Sequence, residues 1–327
     1  MTTLRERRGS VSEYMLRTPA VGPAIALVVV IVVFAVVTDT FFTVDNLSLV
    51  VQQSLVIGTL ALGQTLVILT AGIDLANAAI MVLATLIIAK MTLLHGLPGP
   101  AALVLGIAVA TVLGAVTGGV VTSLRLPPFI VTLGMLTIVT AVGRIYAAGQ
   151  SFPVTDGFLG FLGQSQYLFG QLEITYGMGL MLVMYLGFWY ALSRTAWGKH
   201  VYAVGNDPEA ARLSGIHVRR NVLGVYIVAG IIYGIAAWQA LGRVPNADPN
   251  AFQTGNLDSI TAVVIGGTSL FGGRGSVLGT LVGALIVAVL RSGLTQAGID
   301  NLYQDVATGI LVIAAVGLDR LSRGRQR

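Results

Sequence analysis

The chain has 327 residues, of which 55% are apolar and only 10% charged, with a formal net charge of +5. A soluble domain carries roughly 25% charged residues, so this composition excludes an ordinary soluble enzyme and a disordered chain. It also excludes a nucleic-acid binder, because the basic excess lies in short stretches between apolar runs.

What remains is an all-α polytopic membrane protein. A helix needs about 20 mostly apolar residues to cross ~30 Å of hydrocarbon. In chain order, ten runs fit: 21–38, 47–71, 76–94, 98–122, 128–148, 174–193, 221–241, 258–271, 276–295 and 303–319. The eighth is short for a crossing and reads as a broken or half-helix. The first has a basic flank like a signal peptide. No small-x-small cleavage site follows at Val37-Thr38-Asp39-Thr40-Phe41, so it reads as an uncleaved anchor.

Ten crossings place both termini on the same side. One set of connecting segments holds most of the 19 basic residues. These are Arg5, Arg7, Arg8 and Arg17, then Arg125, then Arg194, Lys199, Arg212, Arg219 and Arg220, then Arg274, then Arg320, Arg323, Arg325 and Arg327. The other set holds mainly acids: Asp39, Asp45, Asp156, Asp248 and Asp300. By the positive-inside rule both termini are expected in the cytoplasm. The whole chain, 1–327, then reads as one transmembrane domain. It has a cytoplasmic tail over 1–20, a long inner loop over 194–220 and a basic tail over 320–327. The longest outer loop, 149–173, carries no Lys or Arg and is placed to cap the outer mouth or to meet an external partner.

Inside lipid, helices associate through close backbone approach rather than hydrophobicity. Small residues four apart supply it at Gly114 and Gly118, at Gly230 and Gly234, and along Gly275, Gly279 and Gly283. Two places break the apolar pattern. In Gln64 to Asn77, a carboxylate at Asp74 follows Gly72. An ionised Asp in hydrocarbon costs at least ~3 kcal/mol, so Asp74 is expected at a break, capping the next helix or facing a polar substrate. In Ile265 to Gly275, five glycines and Arg274 join two apolar segments without the spacing of a phosphate-binding loop. No nucleotide site is legible. Gln52, Gln53, Gln64, Asp74, Asn77, Gln239 and Arg291 lie in or beside spans. They are candidates either for lining a path for a hydroxylated solute or for holding helices together.

The inner loop contains Gly205-Asn206-Asp207-Pro208-Glu209-Ala210-Ala211-Arg212-Leu213-Ser214-Gly215-Ile216. Asp207 suits an N-cap, Pro208 the first helical position, Glu209 the positive helix end and Gly215 a stop. A two-turn helix is expected, with Ala210, Leu213 and Ile216 on one face. So short a helix does not stand alone in water. It lies on the membrane or docks into a partner.

Three blocks together resemble the permease subunits of bacterial ABC importers for monosaccharides of carbohydrate uptake type 2, which include ribose, xylose, galactose and fructose permeases. They are Thr65 to Leu75, Gly205 to Ile216 and Ala262 to Ser276. The resemblance runs from about residue 40 to 320. Where that family typically continues Gly-Ile-Asp-Leu with Ser-Val-Gly, this chain has Ala76-Asn77-Ala78. The loop Gly242 to Asn250 points, within the family, toward fructose or a pentose. The resemblance implies two permeases, usually a homodimer, in the inner membrane. It implies a sugar-binding protein on the outer face and a separate ATPase below. That ATPase binds ATP and Mg and pushes the helix Asp207–Ile216, so this chain needs no cofactor and performs no bond chemistry. The competing reading is a stand-alone ion-coupled transporter, whose charge carriers would have to be Asp74 and Arg291. An embedded enzyme lacks a Ser/His/Asp set, a metal cluster or paired carboxylates within a span.

Overall fold

The computed structural model describes residues 21–168 and 172–324. The expected N-terminal tail 1–20, residues 169–171 of the long outer loop and residues 325–327 of the basic tail lie outside the described residues.

In chain order the helices are α1 Val21–Val37, α2 Val44–Leu69, α3 Asn77–His95, α4 Gly99–Leu124, α5 Pro128–Ala147, α6 Gly157–Gly160, α7 Tyr176–Arg194, α8 Ala196–Asn206, α9 Pro208–Leu213, α10 Val218–Arg243, α11 Gly255–Ile265, α12 Val277–Gln296 and α13 Asn301–Gly324. Among the described residues, seven are long and apolar enough to cross a membrane: α2, α3, α4, α5, α7, α10 and α12. These seven coincide with seven of the ten expected runs. The first run forms only the 17-residue α1 and the eighth only the 11-residue α11, while α13 covers the tenth. At 1.5 Å per residue, α11 is about 16 Å long, half a bilayer core. It stops because Gly266 and Gly267 turn the chain back, Gly267 with φ +84.

α2 lies at the centre. From Ser54 to Leu69 every residue but Ile57 is buried. α1, α4, α5 and α7 present apolar side chains outward, among them Val28, Val112, Ile138 and Leu186, as lipid-facing helices must. The glycine spacings explain the closest contacts. α4 and α10 run antiparallel so near each other that a Cβ on Gly230 would stand 2.6 Å from the Ala110 carbonyl oxygen. The row of Gly279 and Gly283 on α12 lies against the backbone of Gly266 and Ala262, so it seats the half-helix α11 within this chain.

At the end opposite Arg125, the long loop folds over the helix ends. β1 Phe152–Pro153 pairs with β4 Asn246–Ala247, and β2 Ser165–Leu168 pairs with β3 Leu172–Thr175. The Phe158 ring stacks on Trp238 at 5.0 Å, and Asp156 accepts a hydrogen bond from the Gly99 N–H at the start of α4.

Candidate translocation path and coupling segment

The chain leaves α2 at Thr70, crosses to Ala76 without helix and enters α3 at Asn77. This turn is buried, and its polar groups are met from four other helices. Asp74 Oδ1 accepts from the Ala76 N–H at 2.8 Å, and Asp74 Oδ2 accepts from the Tyr233 hydroxyl of α10 at 3.1 Å. The Gln64 side-chain amide of α2 lies against the Asp74 backbone. Its nitrogen donates to the carbonyl at 2.9 Å and its oxygen accepts from the N–H at 3.2 Å. Thr132 of α5 donates to the Ile73 carbonyl at 2.8 Å. From α11, Asn256 donates to the Leu75 carbonyl at 3.2 Å, and Ser259 accepts from the Asn77 amide at 2.7 Å. A buried polar group without a partner costs about 1–3 kcal/mol, and this knot leaves none of those named unpaired. It fixes the start of α3 to the half-helix.

Arg291 of α12 also turns toward α11. Its Nη2 reaches the Asp258 carboxylate at 2.7 and 2.8 Å, the Thr254 hydroxyl at 3.1 Å and Asp305 of α13 at 3.4 Å. Asp258 is the acid inside the short eighth run, and that placement was the sequence signal for Arg291's partner. The remaining candidates stand apart. Gln239, fully buried, donates to the Gly177 carbonyl and joins α10 to α7. Gln52 lines a small cavity of about 40 Å³ with Thr175 and Arg243, and Gln53 beside it is half-buried.

A cavity of about 240 Å³ opens between α3, α5 and the segment leading into α11. That is below the ~300–1,000 Å³ typical of drug-sized ligands and suits a small solute. Ala78, Val82, Leu136 and Val139 form an apolar wall, while Thr140, Arg144, Gln253 and Asn256 bring polar groups to it. Of the expected path residues, none lines it, although Asn77 and Asp74 hold the walls that do. Sequence reasoning missed Thr140, Arg144 and Gln253. Arg144 had one available signal, as a cation inside a span rather than in a basic loop.

The inner loop folds as two helices rather than one. α8 was not anticipated; α9 has the expected caps. The Asp207 N–H bonds to Ala203 at the end of α8, while Asp207 Oδ1 accepts from the Glu209 and Ala210 N–H groups at 2.9 and 3.0 Å. Gly215 takes φ +85 at the far end. Ala211 is the residue turned into the protein. Ala210 and Leu213 are uncovered, Leu213 at 79% exposure, and Ile216 is half-buried. The Glu209–Arg212 pair is exposed on both sides and contributes little.

The three blocks singled out in the sequence meet here. The Gly273 N–H donates to the Leu69 carbonyl at the end of α2, Gly205 lies against that same carbonyl, and the Tyr202 hydroxyl donates to the Gly275 carbonyl. Gly272, at φ +79, lies between Ala71 and Gly205, where a Cβ would come within 2.8 Å of both. The end of α8, the α2–α3 turn and the glycine turn after α11 thus share one backbone junction.

The chain matches, over residues 46–316, the family described as the permease component of the branched-chain amino acid transport system. It is 43% identical over 312 residues to the fructose import permease protein FrcC of Rhizobium meliloti, covering 94% of this chain and 86% of that one. It is 36% identical to the ribose import permease protein RbsC of Escherichia coli K12, over 90% and 92% of the two chains. To the galactose/methyl galactoside import permease protein MglC of the same strain it is 32% identical, over 94% and 95%. No solved structure matches the chain. With buried spans, a half-helix beside a cavity and a match along nearly its whole length, the chain belongs to the family of bacterial ABC importer permeases that contains the monosaccharide permeases.

Proposed function

We propose that this chain is the membrane-spanning subunit of a monosaccharide importer and that a separate ATPase drives it through α9. As a permease of its family it is a multi-pass protein of the bacterial inner membrane and hydrolyses no ATP itself. The relatives' substrates make fructose the first candidate, then ribose and galactose. The basic segments support an orientation with both termini, α8 and α9 on the cytoplasmic side and the 149–173 loop outside, where a sugar-binding protein delivers its load. Two copies form the pathway, and ATP with its Mg²⁺ sits on the partner ATPase.

The observation that carries this reading is the junction under α9. A capped helix with an uncovered leucine is joined through Asp207 to α8, which contacts both the α2–α3 turn and the loop after α11. A push on α9 is thereby delivered to the two segments that carry the cavity wall at Ala78 and Asn256. The motor biases two permease states through that contact, and alternating access follows from their populations. The ion-coupled alternative fares worse. Its two candidate carriers are held by protein partners, Asp74 by Ala76 and Tyr233, and Arg291 by Asp258 and Thr254.

Deleting residues 207–215 tests the reading in the complex reconstituted with ATPase and binding protein. Sugar-stimulated ATP hydrolysis is expected to vanish while the permease still inserts. Undiminished stimulation, or uptake by the purified chain without ATP, contradicts it.

A further inference from the structure

We infer that Thr140, Arg144 and Gln253 form a diol-reading subsite in the 240 Å³ cavity, at which the passing solute is held by two adjacent hydroxyl groups. The inference rests on the sugar-importer reading and adds the residues and the chemical feature they select.

The three side chains share two properties. All line the cavity, and among the described residues none is tied by a hydrogen bond or ion pair within the chain: Arg144 and Gln253 are exposed and Thr140 half-buried, so all three are open to a solute. The contrast with the neighbouring polar groups is sharp. Asn256, on the same cavity wall, donates to Leu75 and accepts from the Leu257 N–H. Arg291, the other arginine within a span of this half of the molecule, is bound to two carboxylates and a hydroxyl. Arg144 stands exposed in the last turn of α5, where a long basic side chain reaches the interface, and its guanidinium is open to a solute in the cavity.

The arrangement suits a neutral polyol. Thr140 and Arg144 are four residues apart on α5, one turn above the other on a single face. Gln253 faces them from the segment entering α11. A guanidinium presents N–H donors in a planar fork, which spans two oxygens on adjacent carbons as well as it spans a carboxylate. The Gln253 amide and the Thr140 hydroxyl both donate and accept, as hydroxyl groups require. Phe252 completes the pocket. Its backbone sits at φ +53, a conformation that bulky residues rarely adopt, and its side chain lines the same cavity, an apolar surface for the C–H face of a sugar ring. Nothing in the subsite is shaped for one hydroxyl stereochemistry over another, so it reads the diol and leaves the choice of sugar to other contacts.

The test uses the complete importer in vesicles with saturating loaded binding protein. Uptake of the parent sugar, D-fructose, D-ribose or D-galactose, is compared with that of its monodeoxy analogues. The binding protein's own preference is common to every permease variant and divides out. In the unaltered permease at least one analogue lacking a hydroxyl of a vicinal pair should move roughly ten-fold more slowly than the parent, the usual cost of losing a charged hydrogen bond. Arg144→Gln should bring that ratio to within about two-fold, and Arg144→Lys should restore it only in part, because the ammonium lacks the fork. Gln253→Ala, at an exposed position, carries the same test if Arg144→Gln fails to assemble. An unaltered permease that treats all analogues alike, or variants that keep the full discrimination, overturn the subsite. If no monosaccharide is moved at all, the importer reading fails instead.

Discussion

The α2–α3 turn and α9 are each built on an aspartate that caps backbone N–H groups, Asp74 on Ala76 and Asp207 on Glu209 and Ala210. They differ in what surrounds the cap. Asp74 is 1% exposed and answered by groups from α2 and α10, whereas around Asp207 the next residues are open and Leu213 is 79% exposed. The same local chemistry serves two purposes. Where polar groups are saturated from within, the segment is structural. Where an apolar residue on a short helix is left uncovered, as at Leu213, the segment offers the surface through which we propose the ATPase acts.

Substitutions separate these roles, starting with the one that should do most damage. Asp74→Leu removes the cap and leaves Tyr233 and the turn's backbone without partners in hydrocarbon. A loss of about 3 kcal/mol or more is expected, read as collapse of the monodisperse peak after detergent extraction. Arg291→Leu comes next, because Asp258 is then a lone buried carboxylate. About 3 kcal/mol should be lost in thermal melts, and adding Asp258→Asn should recover most of it; no recovery would mean that the pair is not what holds α11 to α12. Ser259→Ala opens one hydrogen bond to Asn77 and should cost about 1 kcal/mol, a small drop in melting temperature with transport retained. Asp207→Ala inverts the pattern. It costs about 1 kcal/mol of a six-residue helix only, so global melting should not move while sugar-stimulated ATP hydrolysis falls several-fold. If Asp207→Ala lowers the melting point as much as Ser259→Ala, the contrast between the two regions fails.

Much of this was legible in the residues. Apolar run length marked the seven helices long enough to cross, and glycine spacing marked the close-packing faces of α4 and α10. The order Asp-Pro-Glu before a Gly stop marked α9, because caps act through atoms adjacent in sequence. Contacts between residues far apart in the chain were not legible. Nothing local says that Tyr233 answers Asp74, or that Gly273 meets Leu69, since these pairs form only when helices pack. α8 was hidden for a related reason: its buried face, Val201 and Val204, rests on elements remote in the chain. Arg144 drew no attention because a lone polar side chain in a span reads as helix-to-helix glue until the cavity beside it is seen, and Gln253 because it lies in a connecting segment.

The absence of cysteine makes the central claim directly measurable, since one introduced thiol is the only one in the chain. Leu213→Cys is labelled with a membrane-impermeant maleimide in right-side-out and inside-out vesicles, with and without the ATPase. The expected result is labelling from the cytoplasmic face alone and strong protection when the ATPase is bound. Labelling from the outer face, or equal labelling with the ATPase in place, would contradict the account of a gate driven through α9.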